Sequence, residues 1–543
     1  MADYDVIVLG TGAAGLTAAI AAHEGGGRVG LFEKADTVGG TSAWSGGQIW
    51  IPNNYHQRAM GKEDSREEAI GYLMALSHGM IEEKFAAAYV DTGPEMMRFL
   101  EERTPVEFYT IPDFPDYHPE TPGGKPQGGR TLETPPYPYG ELGEWAARVT
   151  DPPYYSDLTI TIGETTLGQS VPQEVPTDVK ARRRANDERG MGMALVGRLL
   201  KGCLDRGIEP QTGCRAVSLI MDGPAVGGVR FERAGADFEV RAPRVILATG
   251  GFEWNAELVR AFTRGPLTHP VSIQTNTGDG LKMAMRVGAM LGNMREAWWM
   301  PVIEVPEEVN RMKRKLLTYE RTMPGSIMVN RHGKRFTNEA SNYNAFGAAF
   351  HEQDVSRFEY ANLPCWLIFN QTYYSKYPFA AGLTDSFQAG EQRPPQWIMA
   401  ADTLADLAGR LGIDAAALDE TVARFNANAK AGHDPDFRRG ESANDIWWGD
   451  PSRRGDKRAT LGPIEGGPYY AIEVKSGALG TKGGPQTDID ARVLDVDGNV
   501  IPGLYAAGNV MASPMGMTYG GAGGTLGPGM VFGYRAGRHA AQL

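Results

Sequence analysis

The first apolar run, Tyr4-Asp-Val6-Ile-Val-Leu9, is short and unbroken, as expected of a strand buried on both faces. It stops at Gly10-Thr-Gly12-Ala13-Ala14-Gly15 and gives way to an alanine-rich stretch that predicts a helix. A second short strand is expected over Arg28–Phe32 and ends at Glu33. Two further apolar runs, Val245-Ile-Leu-Ala248-Thr249-Gly250 and Leu504-Tyr-Ala-Ala507-Gly508-Asn509, read alone as buried strands ending in turns. Between Glu33 and Val245, Ile111–Tyr155 is dense in Pro, Gly and Tyr with little periodicity and is expected to be a long irregular loop. Gly190–Leu200 reads as the start of an amphipathic, purely structural helix.

Length and composition narrow the class. The chain has 543 residues, too many for one ordinary core, so two domains or a discontinuous arrangement are expected. A net charge of −12 argues against nucleic acid as a partner. Cys203, Cys214 and Cys365 are an odd, scattered set without a CxxC pair. They offer neither a thiolate metal site nor a disulfide framework, and a reducing cytoplasm is the expected compartment. No run of 18 apolar residues predicts a membrane span, and the apolar N-terminus lacks the basic residues of a signal peptide. Seventy glycines cluster at both ends of the chain, as if backbone lines an extended ligand.

The N-terminal strand, glycine turn and helix come in the order a dinucleotide site needs. Gly10 makes the tight turn, Gly12 lets a pyrophosphate approach, Gly15 packs helix on strand, and Glu33 can accept hydrogen bonds from a ribose diol. Beyond Glu33 and Lys34 comes Gly39-Gly40-Thr41-Ser42-Ala-Trp-Ser45-Gly46-Gly47. With this stretch and the two later strand-turn segments, the chain resembles the fumarate reductase/succinate dehydrogenase flavoprotein superfamily. The resemblance implies an α/β fold: a discontinuous Rossmann-like FAD-binding domain, residues 1–283 and 472–543, with an inserted α+β catalytic cap, residues 284–471. It implies FAD at Gly10, Gly12, Ala13, Ala14, Gly15, Glu33, Lys34, Gly39, Gly40, Thr41, Ser42, Ser45, Gly46, Gly47, Ala248, Thr249, Gly250, Asp279, Gly508, Asn509, Thr525 and Leu526. Relatives that bind flavin covalently use a histidine between Glu33 and Gly47; none stands there, so FAD is expected to be non-covalent.

Two departures redirect the substrate. The fumarate branch places an arginine shortly after an Asn-Glu pair; after Asn338-Glu339 that position holds Tyr343. That branch also holds a dicarboxylate with a histidine and an arginine after the last FAD strand, yet no charged residue lies between Asn509 and Arg535. A dicarboxylate taken out of water needs cations. What stands in their place is Tyr519-Gly-Gly521-Ala-Gly523, a phenol and bare amides suited to a ketone oxygen that becomes an enolate. The pattern resembles the 3-ketosteroid Δ1-dehydrogenases, whose other matches here include Ile51-Pro-Asn-Asn54 and Pro324–Asn330. The resemblance implies a steroid substrate, an external electron acceptor and these roles. Tyr519 and the Gly523 amide bind the C3 carbonyl, and Tyr343 takes a C2 proton as a tyrosinate favoured by its neighbours. Flavin N5 takes the C1 hydride, Tyr117 supports the base, and Phe114 lines the pocket. Tyr319 is the rival to Tyr343.

Three alternatives stand beside this expectation. A 3-ketosteroid Δ4-(5α)-dehydrogenase resembles this chain but carries a serine two residues after the carbonyl tyrosine, where Gly521 stands. A soluble reductase of an unsaturated acid would need Arg295 or Arg321 as its cation. A flavoprotein without catalysis would leave Tyr343 and Tyr519 without purpose. Two local features are open: Met312-Lys-Arg-Lys315 as a weak peripheral membrane contact or a solvated basic turn, and Trp298-Trp-Met300 as pocket wall or core.

Overall fold

A computed structural model describes residues 2–542 apart from 154, 156, 307–311, 378 and 380–392. Its first sheet has five strands in the order Val29–Phe32, Val6–Leu9, Val245–Leu247, Val500–Ala506, Arg492–Leu494. The first four run parallel and the last antiparallel. Val6 to Val8 are entirely shielded from solvent, which is why the run is apolar without alternation. Gly10 has φ +106°, and a Cβ there would lie 2.3 Å from the Ala248 carbonyl oxygen; one on Gly15 would lie 2.0 Å from that of Gly10. The fingerprint glycines thus let strand, turn and helix close on one another. Helix Ala13–Glu24 packs along the C-terminal helix Leu526–Ala541, so the last residues complete the domain that the first ones begin.

The second sheet builds the cap. Its main path runs Arg314–Leu316, Ala297–Glu304, Tyr469–Thr481, Cys365–Asn370, Ser326–Asn330, and His269–Pro270 and Met399–Ala401 also pair with the 13-residue central strand. That central strand passes through the 471/472 division expected from the sequence and pairs with cap strands on both sides. Arg314 and Lys315 are strand residues: Met312 and Lys315 are buried, and the Arg314 guanidinium sits 4.8 Å from the Trp254 ring. Of the four residues from Met312 to Lys315, only Lys313 is exposed. No helix among the described residues is long and apolar enough to cross a membrane.

Two expectations need correction. Residues 111–155 are not one irregular loop: they hold strands Thr131–Glu133 and Tyr137–Pro138 and a 3-10 segment over Tyr139–Arg148. Arg130, fully buried, bonds Asp64 at 2.6 Å and Asp116 at 2.9 Å, so charge pairing lets a Pro- and Gly-rich segment enter the core. Helix Met191–Leu204 is not amphipathic. Twelve of its 14 residues are buried, and a Cβ on Gly192 would meet the Ser42 carbonyl at 2.2 Å.

Candidate active site

The site is organised around the glycine loop that follows Tyr519. Gly520 and Gly521 lie flat on the Trp50 indole; a Cβ on Gly521 would be 2.4 Å from Trp50 Cδ1. Gly523 has φ +98°, and a Cβ there would strike the Ile49 carbonyl carbon at 2.4 Å. The Gly520 carbonyl accepts hydrogen bonds from the Tyr117 N–H (2.9 Å) and the Tyr72 hydroxyl (2.8 Å), joining the segment that carries Tyr117 to this loop. Asp116 fixes the segment from the other side. Its buried carboxylate accepts from Trp50 Nε1 (2.7 Å), Arg130 Nη1 (2.9 Å) and the Lys125 N–H (3.0 Å).

These constraints bring three tyrosines from distant parts of the chain into one hydroxyl row. The Tyr117 hydroxyl donates to Tyr343 at 3.1 Å, and the Tyr343 hydroxyl donates to Tyr519 at 3.1 Å. Thr525 Oγ1 also donates to the Tyr519 oxygen, at 3.1 Å. The Tyr519 oxygen therefore accepts twice, and its own O–H hydrogen is left to point at a ligand. The Gly523 N–H, beside it on the cavity wall, has no hydrogen-bond partner among the described residues. Burial raises the pKa of all three phenols above the ordinary value. For Tyr343 the two neighbouring phenols raise it further, whereas the bonds from Thr525 and Tyr343 pull Tyr519 back down. Among the described residues, the Tyr343 oxygen is met by the Tyr117 and Tyr519 hydroxyls.

One cavity of about 1910 Å³, open mouth included, contains this row and the glycine turn together. Its lining runs without a break from the glycine turn to the phenols, so the dinucleotide end and the phenol row share one space. Tyr117, Tyr343, Tyr519, Gly523 and Phe114 line it. Gly10, Gly12, Ala13, Ala14, Glu33, Lys34, Gly40, Thr41, Ser42, Ser45, Gly46, Gly47, Ala248, Thr249, Gly250, Asp279, Gly508, Asn509, Thr525 and Leu526 line it too. Gly15 and Gly39 do not; the first packs behind Gly10, and the second, with its N–H on Thr11 Oγ1, caps the short Gly40–Trp44 helix. The donor set fits a dinucleotide. Space in front of Gly40 is open, the buried Thr249 hydroxyl has no protein partner, and Glu33 keeps acceptor capacity beyond its bonds from Thr11 and Ala35. Lys34 and Arg215 both pair with Asp279, at 2.9 and 3.1 Å, and hold its carboxylate below the usual range.

None of the three rival residues lines the site. Tyr319 and Arg295 do not line the cavity. Arg321 is buried with its donors on the carbonyls of Leu317, Glu339 and Ser341. Trp298, Trp299 and Met300 divide: Met300 lines the cavity, Trp298 stands edge-on to Tyr519 at 4.9 Å, and Trp299 packs against His351 in the core. Sequence reasoning missed Trp448, which faces Tyr117 and Tyr343 edge-on, each at 6.5 Å, and the apolar wall of Ile162, Leu167 and Leu316. The adjacent pair Trp447-Trp448, rare in an otherwise polar segment, was the available signal.

Residues 5–526 match the model of the FAD binding domain family. The chain is 42% identical to a 4-oxocyclohexanecarboxylate 2-dehydrogenase of Sinomonas cyclohexanicum, over 99% of this chain and 93% of the relative. It is 40% identical to a 3-oxosteroid 1-dehydrogenase of Mycobacterium tuberculosis, over 99% and 98%. Among solved structures, the 3-ketosteroid delta1-dehydrogenase from Sterolibacterium denitrificans in complex with 1,4-androstadiene-3,17-dione superposes with a TM-score of 0.88, covering 99% of both chains at 36% identity. With the glycine turn, Glu33 and a cavity shaped for a dinucleotide, the chain belongs to the FAD binding domain family, and its cofactor is FAD.

Proposed function

We propose that the protein dehydrogenates a 3-ketosteroid across C1–C2, using non-covalent FAD and an external electron acceptor. The observation that carries this reading is the row of phenols from Tyr117 through Tyr343 to Tyr519, with steps of 3.1 Å. In it, the Tyr519 hydroxyl and the Gly523 N–H bind the C3 carbonyl oxygen, and their hydrogen bonds strengthen as that oxygen gains enolate charge. Tyr343 Oη takes the C2 proton, with Tyr117 donating to the same oxygen. Bound FAD supplies the acceptor for the C1 hydride at N5. Phe114, Trp448, Leu167 and Ile162 exclude water. Residues 1–283 and the C-terminal segment form the FAD domain around the cap; the pairing of Tyr469–Thr481 favours ending the cap near Thr481 rather than Ala471.

Two observations favour this over its neighbours. The Δ4-(5α) reading needs a serine where Gly521 lies against Trp50 with no room for a Cβ. A small oxo acid, the substrate class in the name of one relative, would need a cation for its carboxylate. Of the described lining residues, only Lys34 is cationic, and it is paired with Asp279. The purified protein is expected to oxidise androst-4-ene-3,17-dione with kcat/KM at least about 100-fold above that for 4-oxocyclohexanecarboxylate, the scale of ~3 kcal/mol for burying an unpaired polar group. A higher value for the oxo acid would reverse the assignment.

The raised pKa of Tyr343 fixes the sign of the pH dependence. The proton-accepting form is the minor one at neutrality and grows as pH rises, so log kcat/KM is expected to climb from pH 7 to about 10. A flat profile over that range would remove Tyr343 as the base.

A further inference from the structure

Folding brings a cation against the stretch that reads as uncharged. Lys482 directly follows the central cap strand, with its N–H on the Glu296 carbonyl and its own carbonyl accepting from the Ser513 N–H, each at 2.9 Å. The side chain is entirely buried. Its Nζ donates to the carbonyls of Thr518 (2.9 Å) and Met517 (3.1 Å), the two residues before Tyr519. The same Nζ lies 4.1 Å from the centroid of the Trp298 ring, whose edge meets Tyr519. The Met517 carbonyl accepts a second bond, at 3.3 Å, from Asn344, the neighbour of Tyr343. Glu296 and Arg264, the charged groups that act on Lys482, are paired with each other at 3.4 Å. No carboxylate comes within ion-pair distance of Lys482 among the described residues. An ammonium buried this way destabilises the fold and pushes its own pKa down, to about 7. Its two acceptors could have been met by a neutral donor.

We propose that Lys482 is a positioning residue for the carbonyl-binding loop, holding Tyr519 in register with Tyr343 through the Met517 and Thr518 carbonyls and keeping positive charge behind the loop as the substrate oxygen becomes anionic. The proposal rests on the ketone dehydrogenation above. Lys482→Met in the holoenzyme is expected to lower kcat about 30-fold, less than the ~100-fold typical of a direct oxyanion donor. KM should stay within about threefold and FAD should remain bound. Lys482→Arg, which keeps donors and charge, should recover most of that loss. Lys482→Gln, a donor without charge, should fall between. Amide exchange should accelerate in the peptide spanning 515–520 of Lys482→Met and be unchanged elsewhere. Wild-type kcat in Lys482→Met or Lys482→Gln, or unchanged exchange in 515–520, would overturn the proposal. So would loss of FAD from Lys482→Arg together with Lys482→Met, since that is general destabilisation. If the wild type oxidises no cyclic ketone, the proposed function fails, and the exchange measurement still decides whether Lys482 holds the loop.

Discussion

Tyr343→Phe is expected to lower kcat by about 1000-fold, the middle of the range for removing a general base. The change deletes one oxygen from a fully packed ring, so the cavity wall, the Asn342 cap on the Ala345 N–H and the fold stay in place. FAD content and the melting temperature should therefore match wild type, because no residue lining the dinucleotide end touches that hydroxyl. Rapid-mixing reduction of the bound flavin by androst-4-ene-3,17-dione reads the effect directly. The variant should also lose the pH-dependent rise in rate, since that rise belongs to the Tyr343 proton. Reduction within tenfold of the wild-type rate would assign the proton to another group.

Tyr519→Phe is expected to cost about 100- to 1000-fold in kcat, as for loss of one preorganised donor to a developing oxyanion. It removes the hydroxyl that accepts from Tyr343 and Thr525 and leaves the Gly523 N–H alone with the carbonyl. Because the interaction grows as charge develops, kcat should fall more than KM rises. The double variant should lose little more than Tyr343→Phe alone, since the two hydroxyls act in one row and their effects do not add. Additive losses would show that they act independently.

The parts legible in the sequence are those whose physics is local. The run Val6–Leu9 is apolar because both faces of its strand are covered, and Gly10 and Gly15 are glycine because a Cβ would enter a carbonyl. The loop after Tyr519 was readable for a similar reason: phenol, bare amides and absent charge describe the chemistry of one surface. Tyr117 and Tyr343 came from resemblance, since 226 residues separate them and no local pattern joins them. What escaped depends on distant partners. Arg130, Asp64 and Asp116 pull into the core what reads as one long irregular loop, and the helix Met191–Leu204 is covered by segments far away in sequence. The raised pKa of Tyr343 depends on distant partners too: burial first, then the phenols of Tyr117 and Tyr519.

The central claim, that this cavity removes hydrogen from C1 and C2 of a 3-ketosteroid, is tested most directly by one anaerobic experiment. Oxidised holoenzyme is mixed with a slight excess of androst-4-ene-3,17-dione, the flavin absorbance is followed, and the product is examined by NMR. The account predicts bleaching of the flavin, one equivalent of steroid oxidised per FAD, and a new double bond between C1 and C2. A flavin that stays oxidised with the steroid, but after chemical reduction is reoxidised by fumarate, would contradict it.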